Sequence, residues 1–103
     1  MKIPDFLQST YLLLARTFPN GISEEYYWVI LHLLYDYMAD ENLAIVMSTF
    51  SGKSLAIVTN DIYAVYHMNF DSKLLDEVRG KLDANGFENI MRIESWKENC
   101  KLF

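Results

Sequence analysis

Apolar residues recur every three or four positions along most of the chain, which is the spacing of α-helices that bury one side. Residues 5–17 show this spacing first, and Pro4 is tolerated at the start of a helix. The run Pro-Asn-Gly at residues 19–21 then favours a turn, because proline and glycine interrupt helices. The pattern therefore predicts a first helix over residues 5–17 that ends before this turn.

The second apolar segment, residues 23–38, has polar side chains on only a narrow strip. Ser23 is a typical N-cap residue and opens the predicted helix. Glu25, His32 and Asp36 fall within about one tenth of a turn of each other, because a helix has about 3.6 residues per turn. The other positions after the first turn are aliphatic or aromatic. Such a helix either forms the centre of a bundle or carries a surface that another molecule covers, and both alternatives stay open.

Two helices are predicted in the middle of the chain. One covers residues 40–50, with Asp40 as its N-cap and a glycine soon after its last turn. The short apolar run at residues 55–58 is compatible with a buried strand or with helix, because it is too short for its period to decide. The other helix begins at one of the capping residues 59–61. It runs to about residue 68, and the side chains predicted to face inward are Ile62, Val65 and Tyr66.

The best-defined helix comes last. It begins at Asp71 or Ser72 and ends at residues 85–86, where Asn-Gly favours the left-handed conformation that ends helices. Apolar positions in residues 90–96 then predict one more short helix or a docked extended tail.

The chain of 103 residues is expected to form a single helical domain, residues 1–103. Its apolar content of 51% is enough for a core without disulfides or metal. The predicted fold class is all-α, a compact bundle of about five to six short helices, with a short β element near residues 55–58 left open. The single cysteine, Cys100, and the lack of a secretory signal or of about 20 consecutive apolar residues favour a cytoplasmic protein with no membrane segment.

Acidic residues are concentrated in the middle of the chain. Residues 17–72 carry one lysine, Lys53, against seven carboxylates, a balance of −6, whereas the whole chain has a formal charge of −5. Nucleic-acid binding depends largely on clustered lysine and arginine, so this charge disfavours a nucleic-acid partner. Most acidic proteins simply have a solvated surface, but the same charge also suits a basic protein partner.

Two short motifs bear on chemistry, and neither is specific. The sequence Ser-Gly-Lys-Ser at residues 51–54 ends like a phosphate-binding loop. However, Met47 stands where that loop needs glycine, and a helix stands where it needs a strand, so a helix end and a turn are predicted. His32 and Asp36 have a spacing that can present two metal ligands, and His67 joins them only if the fold brings it there. We therefore predict a non-enzymatic protein with no cofactor and no metal.

Tyrosine and tryptophan are concentrated on the second helix, and these side chains are common where proteins meet. One interpretation is that they form the core. A small bundle has limited interior, however, so part of this aromatic surface is expected to stay exposed and to bind a partner protein or a second copy of the chain as a homodimer. The candidate interaction surface consists of Tyr27, Trp28, His32, Tyr35 and Asp36.

Three functional hypotheses follow from these features. The first is a non-enzymatic protein-interaction module that uses the aromatic surface. The second is an immunity-like or antitoxin-like inhibitor of a basic protein partner, which the small size and the acidic centre permit. The third and weakest is a nucleic-acid-binding domain in which Arg79 and Lys81 contact phosphates from a helix-turn-helix arrangement.

Two blocks together cover about three fifths of the sequence. In FPNGISEEYYWVILHLLYDYMADENLAIVMSTF, a Pro-x-Gly-Ile turn precedes a tyrosine-containing helix and a helix opened by an acidic pair. In NDIYAVYHMNFDSKLLDEVRGKLDANGF, an Asp-Ile helix, a short linker and a final helix lead to glycine and an aromatic residue. In this order and spacing they resemble the small bacterial family catalogued as domain of unknown function 3349, which implies an all-α helical bundle but brings no known activity. The chain departs from that family in its linker, which lacks proline, and at Phe87, where tryptophan followed by proline is common.

Overall fold

A computed structural model describes residues 3–91, and most of these residues are helical. A short 3-10 helix, Asp5–Leu7, leads into the first of five α-helices. These are α1 (Gln8–Thr17), α2 (Glu24–Leu34), α3 (Asp40–Ser51), α4 (Leu55–Val65) and α5 (Ser72–Asp83). No strand occurs among residues 3–91. The predicted all-α bundle is therefore confirmed, and the alternative of a β element near residues 55–58 is wrong.

Capping residues define several helix ends where the sequence predicted them. Ser23 caps α2, because its Oγ accepts a hydrogen bond of 3.1 Å from a backbone N–H of the first turn. Asp71 caps α5 in a similar way. Gly52 ends α3 with a φ of +80°, which glycine adopts without strain. The predicted N-cap Asp40 is instead the first residue of α3, and Ala39 occupies the cap position.

The fourth helix begins earlier than the sequence predicted. It starts at Leu55 rather than at residues 59–61, because Ser54 is its N-cap and accepts a hydrogen bond of 3.3 Å from the Ile57 N–H. Gly52 and Ser54 thus end one helix and begin the next within three residues. The apolar run that follows enters the new helix directly.

Helix α2 lies at the centre of the bundle. It contacts α3, α4 and α5, while α1 packs on α3 and α5. Every residue from Tyr26 to Leu34 is buried or half-buried. Helix α2 is shorter than the predicted segment 23–38, because the chain leaves the α-helix after Leu34 and forms a tighter turn. In this turn the Leu34 carbonyl accepts a hydrogen bond of 3.0 Å from the Tyr37 N–H. Of the two alternatives for this apolar helix, the centre of the bundle is the one observed.

The chain turns back onto the core after α5. Gly86 adopts a φ of +96°, and Phe87, which follows it, is fully buried. Residues 87–91 are helical and Met91 is buried. The segment predicted over residues 90–96 lies mostly outside the described residues, as does Cys100.

All five α-helices are short. Within residues 3–91, no single helix is both long enough and apolar enough to cross a membrane. Helices α3 and α4 are long and apolar enough only when their residues are combined, and the chain bends by 119° where the two helices meet. This bend brings α4 back against α3 and α2.

Candidate interaction surface

The five residues of the predicted interaction surface lie at two separate places along α2. Tyr27 and Trp28 lie near its start, with ring centroids 5.5 Å apart. His32 and Tyr35 lie at its end, with centroids 5.6 Å apart, and Asp36 is exposed in the turn that follows. Tyr27 is only 1% exposed, so its ring belongs to the core, whereas the other three aromatic rings are half-buried. The structure therefore brings His32, Tyr35 and Asp36 together and removes Tyr27 from solvent.

Tyr27 is the centre of a group of four polar residues that joins three parts of the fold. Its hydroxyl donates a hydrogen bond of 2.7 Å to Oδ2 of Asp61 on α4. Lys53 Nζ lies 3.7 Å from the centre of the Tyr27 ring and 2.7 Å from Oε1 of Glu24. These contacts connect α2 to α4 and to the turn between α3 and α4. We call Glu24, Tyr27, Lys53 and Asp61 the Tyr27 cluster.

The electrostatics of the Tyr27 cluster favour a structural role. Burial raises the pKa of the Tyr27 phenol, and the hydrogen bond to Asp61 raises it further. The phenol therefore keeps its proton near neutral pH and acts as a hydrogen-bond donor. The hydrogen bond from Lys53 lowers the pKa of the Glu24 carboxyl, so that this group stays charged. Each group of the cluster thus has a partner, and together they hold α2 against its neighbours.

A cavity of about 200 Å³ lies beside the Tyr27 cluster, between the start of α2 and the end of α3. Ser51 and Lys53 of the Ser-Gly-Lys-Ser sequence at residues 51–54 line it. Within this sequence Gly52 ends α3, Ser54 caps α4, and the lysine is paired with Glu24. The motif therefore forms the predicted helix end. Residues 3–91 contain no group of three or more His, Cys, Asp or Glu side chains that could hold a metal ion.

A continuous row of aromatic rings connects the end of α2 to the end of α4. The centroids of Phe70 and His32 lie 4.9 Å apart. Those of His32 and Tyr35 lie 5.6 Å apart, and those of Tyr35 and Tyr66 lie 4.8 Å apart. His32 thus packs between rings instead of lying on a solvated polar strip. Tyr66 is 42% exposed, so the prediction that it faces inward is wrong. We call Phe70, His32, Tyr35 and Tyr66 the aromatic row.

Helix α4 exposes large apolar side chains although it is the most apolar helix of the fold. Its buried side consists of Val58, Ile62 and Val65. On its outer side Ile57 is 51% exposed and Tyr63 is 55% exposed. Among residues 3–91, every exposed large apolar side chain except that of Leu12 lies in the segment 55–68. We call these side chains the α4 face: Leu55, Ile57, Tyr63, Tyr66 and Met68.

Sequence reasoning missed the α4 face because it placed the start of this helix too late. Leu55 and Ile57 belong to the apolar run whose sequence is compatible with strand or helix, so two of the five side chains of the α4 face lie outside the predicted helix. The capping residue Ser54 and the apolar run of residues 55–58 directly after it are the features that point to it.

The outer side of α4 has small residues between larger ones. At about 100° per residue, Ala56, Asn60 and Ala64 form one row along the helix, and all three are exposed. Ile57 belongs to the neighbouring row on one side, and Tyr63 to the neighbouring row on the other. The side chains of this row are therefore smaller than those of Ile57 and Tyr63 on either side.

Carboxylates lie near the Tyr66 end of the α4 face. The hydroxyl of Tyr66 donates a hydrogen bond of 2.5 Å to Oδ1 of Asp40. Asp36 and Asp71 are exposed and each adjoins a member of the aromatic row in the sequence. Residues 54–72 contain no lysine or arginine. Lys53 precedes this segment and Lys73 follows it, so the carboxylates lie near one end of the α4 face and do not enclose it.

The hydrogen bond between Tyr66 and Asp40 should make folding stability depend on pH in the alkaline range. This bond, together with burial, raises the pKa of Tyr66 from 10.0 to about 12. The folded state holds the phenol proton more tightly than the unfolded chain does. Its contribution to stability is therefore fully present below about pH 10 and is lost as the pH rises through about 12.

Urea unfolding across this pH range measures the effect. Tyr66→Phe should lose less stability than the wild type between about pH 10 and 12, because it has no phenol to ionise. Tyr63→Phe, a neighbouring exposed tyrosine, serves as the control and should follow the wild type. Equal losses in the wild type and Tyr66→Phe would contradict the expectation.

No protein-family model, curated protein or solved structure matches the chain. The resemblance to the family catalogued as domain of unknown function 3349 therefore stays a prediction.

Proposed function

We propose that the protein is a non-enzymatic protein-interaction module that binds a partner protein through the α4 face and the adjoining aromatic row. The observation that carries the proposal is the exposure of Ile57 and Tyr63 on the most apolar helix of the fold. Removing apolar surface from water is favourable by about 25 cal/mol per Å². Soluble proteins that stay alone seldom leave several large apolar side chains exposed together, so such a group marks a binding surface.

The surface predicted from the sequence forms part of this proposal. Tyr35 contacts Tyr66 of the α4 face, so we assign His32, Tyr35 and Asp36 to the border of the same surface. Tyr27 lies in the core and Trp28 packs on it, at the other end of α2. The proposed surface is therefore carried mainly by α4, with the end of α2 beside it.

Nucleic-acid binding receives less support from the described residues. Arg79 Nη2 lies 2.6 Å from Oε1 of Glu88, and Nε lies 3.8 Å from Oδ2 of Asp83. A guanidinium with two carboxylate neighbours has to give them up before it can contact phosphate. The acidic balance of residues 17–72 adds repulsion. An inhibitor of a basic protein, by contrast, would use the same surface as a general interaction module.

Photo-crosslinking tests the proposed surface directly. Benzoylphenylalanine is placed at Tyr63 in one variant and, as a matched control, at Leu12, which is 48% exposed on α1. Irradiation in cells of the source organism should give a defined protein adduct at position 63 and none at position 12. The partner protein identified from this adduct is then purified by itself, and its affinity for the wild-type chain is measured.

The affinity measurement decides the outcome. Ile57→Ala should weaken binding of the purified partner about tenfold, as expected for a contact worth about 1.4 kcal/mol. Leu12→Ala should bind like the wild type, and both variants should keep wild-type stability within about 0.5 kcal/mol. The proposal is overturned if positions 63 and 12 give the same adducts, or if Ile57→Ala and Leu12→Ala bind equally well.

A further inference from the structure

We propose that Asn20, in the turn between α1 and α2, is a site of spontaneous covalent modification at which the side-chain amide is lost through a cyclic imide. This inference is independent of the proposed function. Asparagine is among the thermally labile residues, and a glycine after it leaves the attacking backbone nitrogen unhindered because glycine has no Cβ. The chain has two such pairs, Asn20-Gly21 and Asn85-Gly86. They are alike in sequence, and the structure distinguishes them.

The reaction needs only the chain and water. The backbone nitrogen of Gly21 loses its proton to solvent and attacks Cγ of Asn20, so that a new C–N bond closes an imide ring. The bond between Cγ and the side-chain nitrogen breaks, and ammonia leaves. Water then opens the ring at either of its carbonyl carbons, which yields aspartate or isoaspartate. Either product adds one negative charge to the formal charge of −5.

Few contacts hold the Asn20-Gly21 pair. Both residues are exposed, as is Pro19 before them. Within residues 3–91, the Asn20 side-chain amide makes no hydrogen bond, and the Gly21 N–H donates one of 3.0 Å to the Phe18 carbonyl. The space around the glycine is open, because a Cβ built on it would have no neighbouring atom within 4 Å. Breaking one hydrogen bond in an exposed turn therefore frees the attacking nitrogen.

The Asn85-Gly86 pair is half-buried, and its polar groups are engaged. The Asn85 side-chain nitrogen donates a hydrogen bond of 3.0 Å to the Lys81 carbonyl, and the Asn85 carbonyl accepts one of 3.2 Å from Arg16 of α1. The Gly86 N–H donates one of 3.1 Å to the Asp83 carbonyl. The peptide unit between the two residues must rotate to bring its nitrogen toward Cγ. That rotation breaks hydrogen bonds to both α1 and α5.

The surroundings of Asn85 add to this protection. Phe87 follows the pair directly and is fully buried, so that opening the turn also disturbs a core ring. A group that reacts only in an open state reacts in proportion to the population of that state, and exposed loops open far more often than segments tied to the core. Folding should therefore slow the reaction at Asn85 much more than at Asn20.

Peptide mass spectrometry of the aged protein tests the proposal. The full chain is incubated in its folded state near neutral pH in water enriched in oxygen-18. A carboxyl group formed during the incubation then carries the heavy isotope, whereas one formed later during digestion does not. The peptides that contain Asn20 and Asn85 are followed over time. In the folded chain Asn20 should convert at least about tenfold faster than Asn85.

The unfolded chain is the matched control. In concentrated guanidinium chloride the two positions should convert at rates within about threefold of each other, because unfolding removes the contacts that distinguish them. Asn20→Gln should abolish the incorporation of heavy oxygen at position 20 and leave Asn85 unchanged, because glutamine would have to close a larger and less favourable ring.

Three results would overturn the proposal. The first is conversion at equal rates at Asn20 and Asn85 in the folded chain, and the second is faster conversion at Asn85. The third is the absence of heavy oxygen at position 20 of the folded chain over the period in which the unfolded chain converts there.

Discussion

Tyr27→Ala is expected to lower the free energy of unfolding by about 3–5 kcal/mol, the range for removing a large aromatic ring from a core. The ring is 1% exposed, and its hydroxyl holds Asp61 of α4 at 2.7 Å. The substitution also removes the surface on which Lys53 Nζ rests. Loss of the ring therefore weakens the contacts of α2 with α4 and with the turn that precedes α4.

Two further variants separate the contribution of the buried ring from that of its hydroxyl. Urea denaturation gives the free energy of unfolding of each variant, with the same dependence on urea concentration used for all of them. Tyr27→Phe keeps the ring and removes only the hydrogen bond to a carboxylate, so we expect a loss of about 1.5–3 kcal/mol. Tyr63→Ala removes the same kind of side chain from an exposed position and should change stability by no more than about 0.5 kcal/mol. If Tyr27→Ala and Tyr63→Ala proved equally stable, the placement of Tyr27 in the core would be wrong.

Phe87→Ala is the second substitution with a large expected effect, again about 3–5 kcal/mol of lost stability. The Phe87 ring is fully buried and contacts the Tyr37 ring edge to face, with centroids 5.5 Å apart. The Arg79 guanidinium lies 5.3 Å from its centre. The ring thus joins the helical residues 87–91 to α5 and to the turn after α2.

Thermal and urea unfolding check this expectation. Phe87→Leu keeps much of the apolar volume and should lose less than half as much stability as Phe87→Ala. Glu88→Gln breaks only the exposed ion pair with Arg79 and should cost at most about 1 kcal/mol. A loss below about 1 kcal/mol for Phe87→Ala would show that the segment after α5 does not depend on this ring.

Several helix ends were predictable because capping is a local property of a few residues. Ser23, Gly52 and Asp71 perform the roles that their chemistry favours. The start of α4 was missed for a local reason as well, since several capping residues compete there. Ser54 and residues 59–61 are all able to cap a helix, and in the structure Ser54 is the cap and Val58 of the helix that follows is buried.

The proposed interaction surface was predictable only in part. The sequence pointed to the aromatic residues of α2, and the structure places His32, Tyr35 and Asp36 at the border of the exposed α4 face. It places Tyr27 in the core, where a tyrosine needs a partner for its hydroxyl and finds it in Asp61. That pairing joins residues 34 positions apart, which no local pattern reveals.

The sequence by itself determined the all-α class, the order of the helices and several of their caps, because these depend on spacing and on chemistry within a few residues. It also determined the acidic charge of the middle of the chain. Only the tertiary structure decided which apolar helix is central and which lies at the edge. Helices α2 and α4 both consist mainly of apolar residues. Neighbours surround α2, whereas the bend after α3 lays α4 against two helices and leaves Ile57 and Tyr63 in solvent.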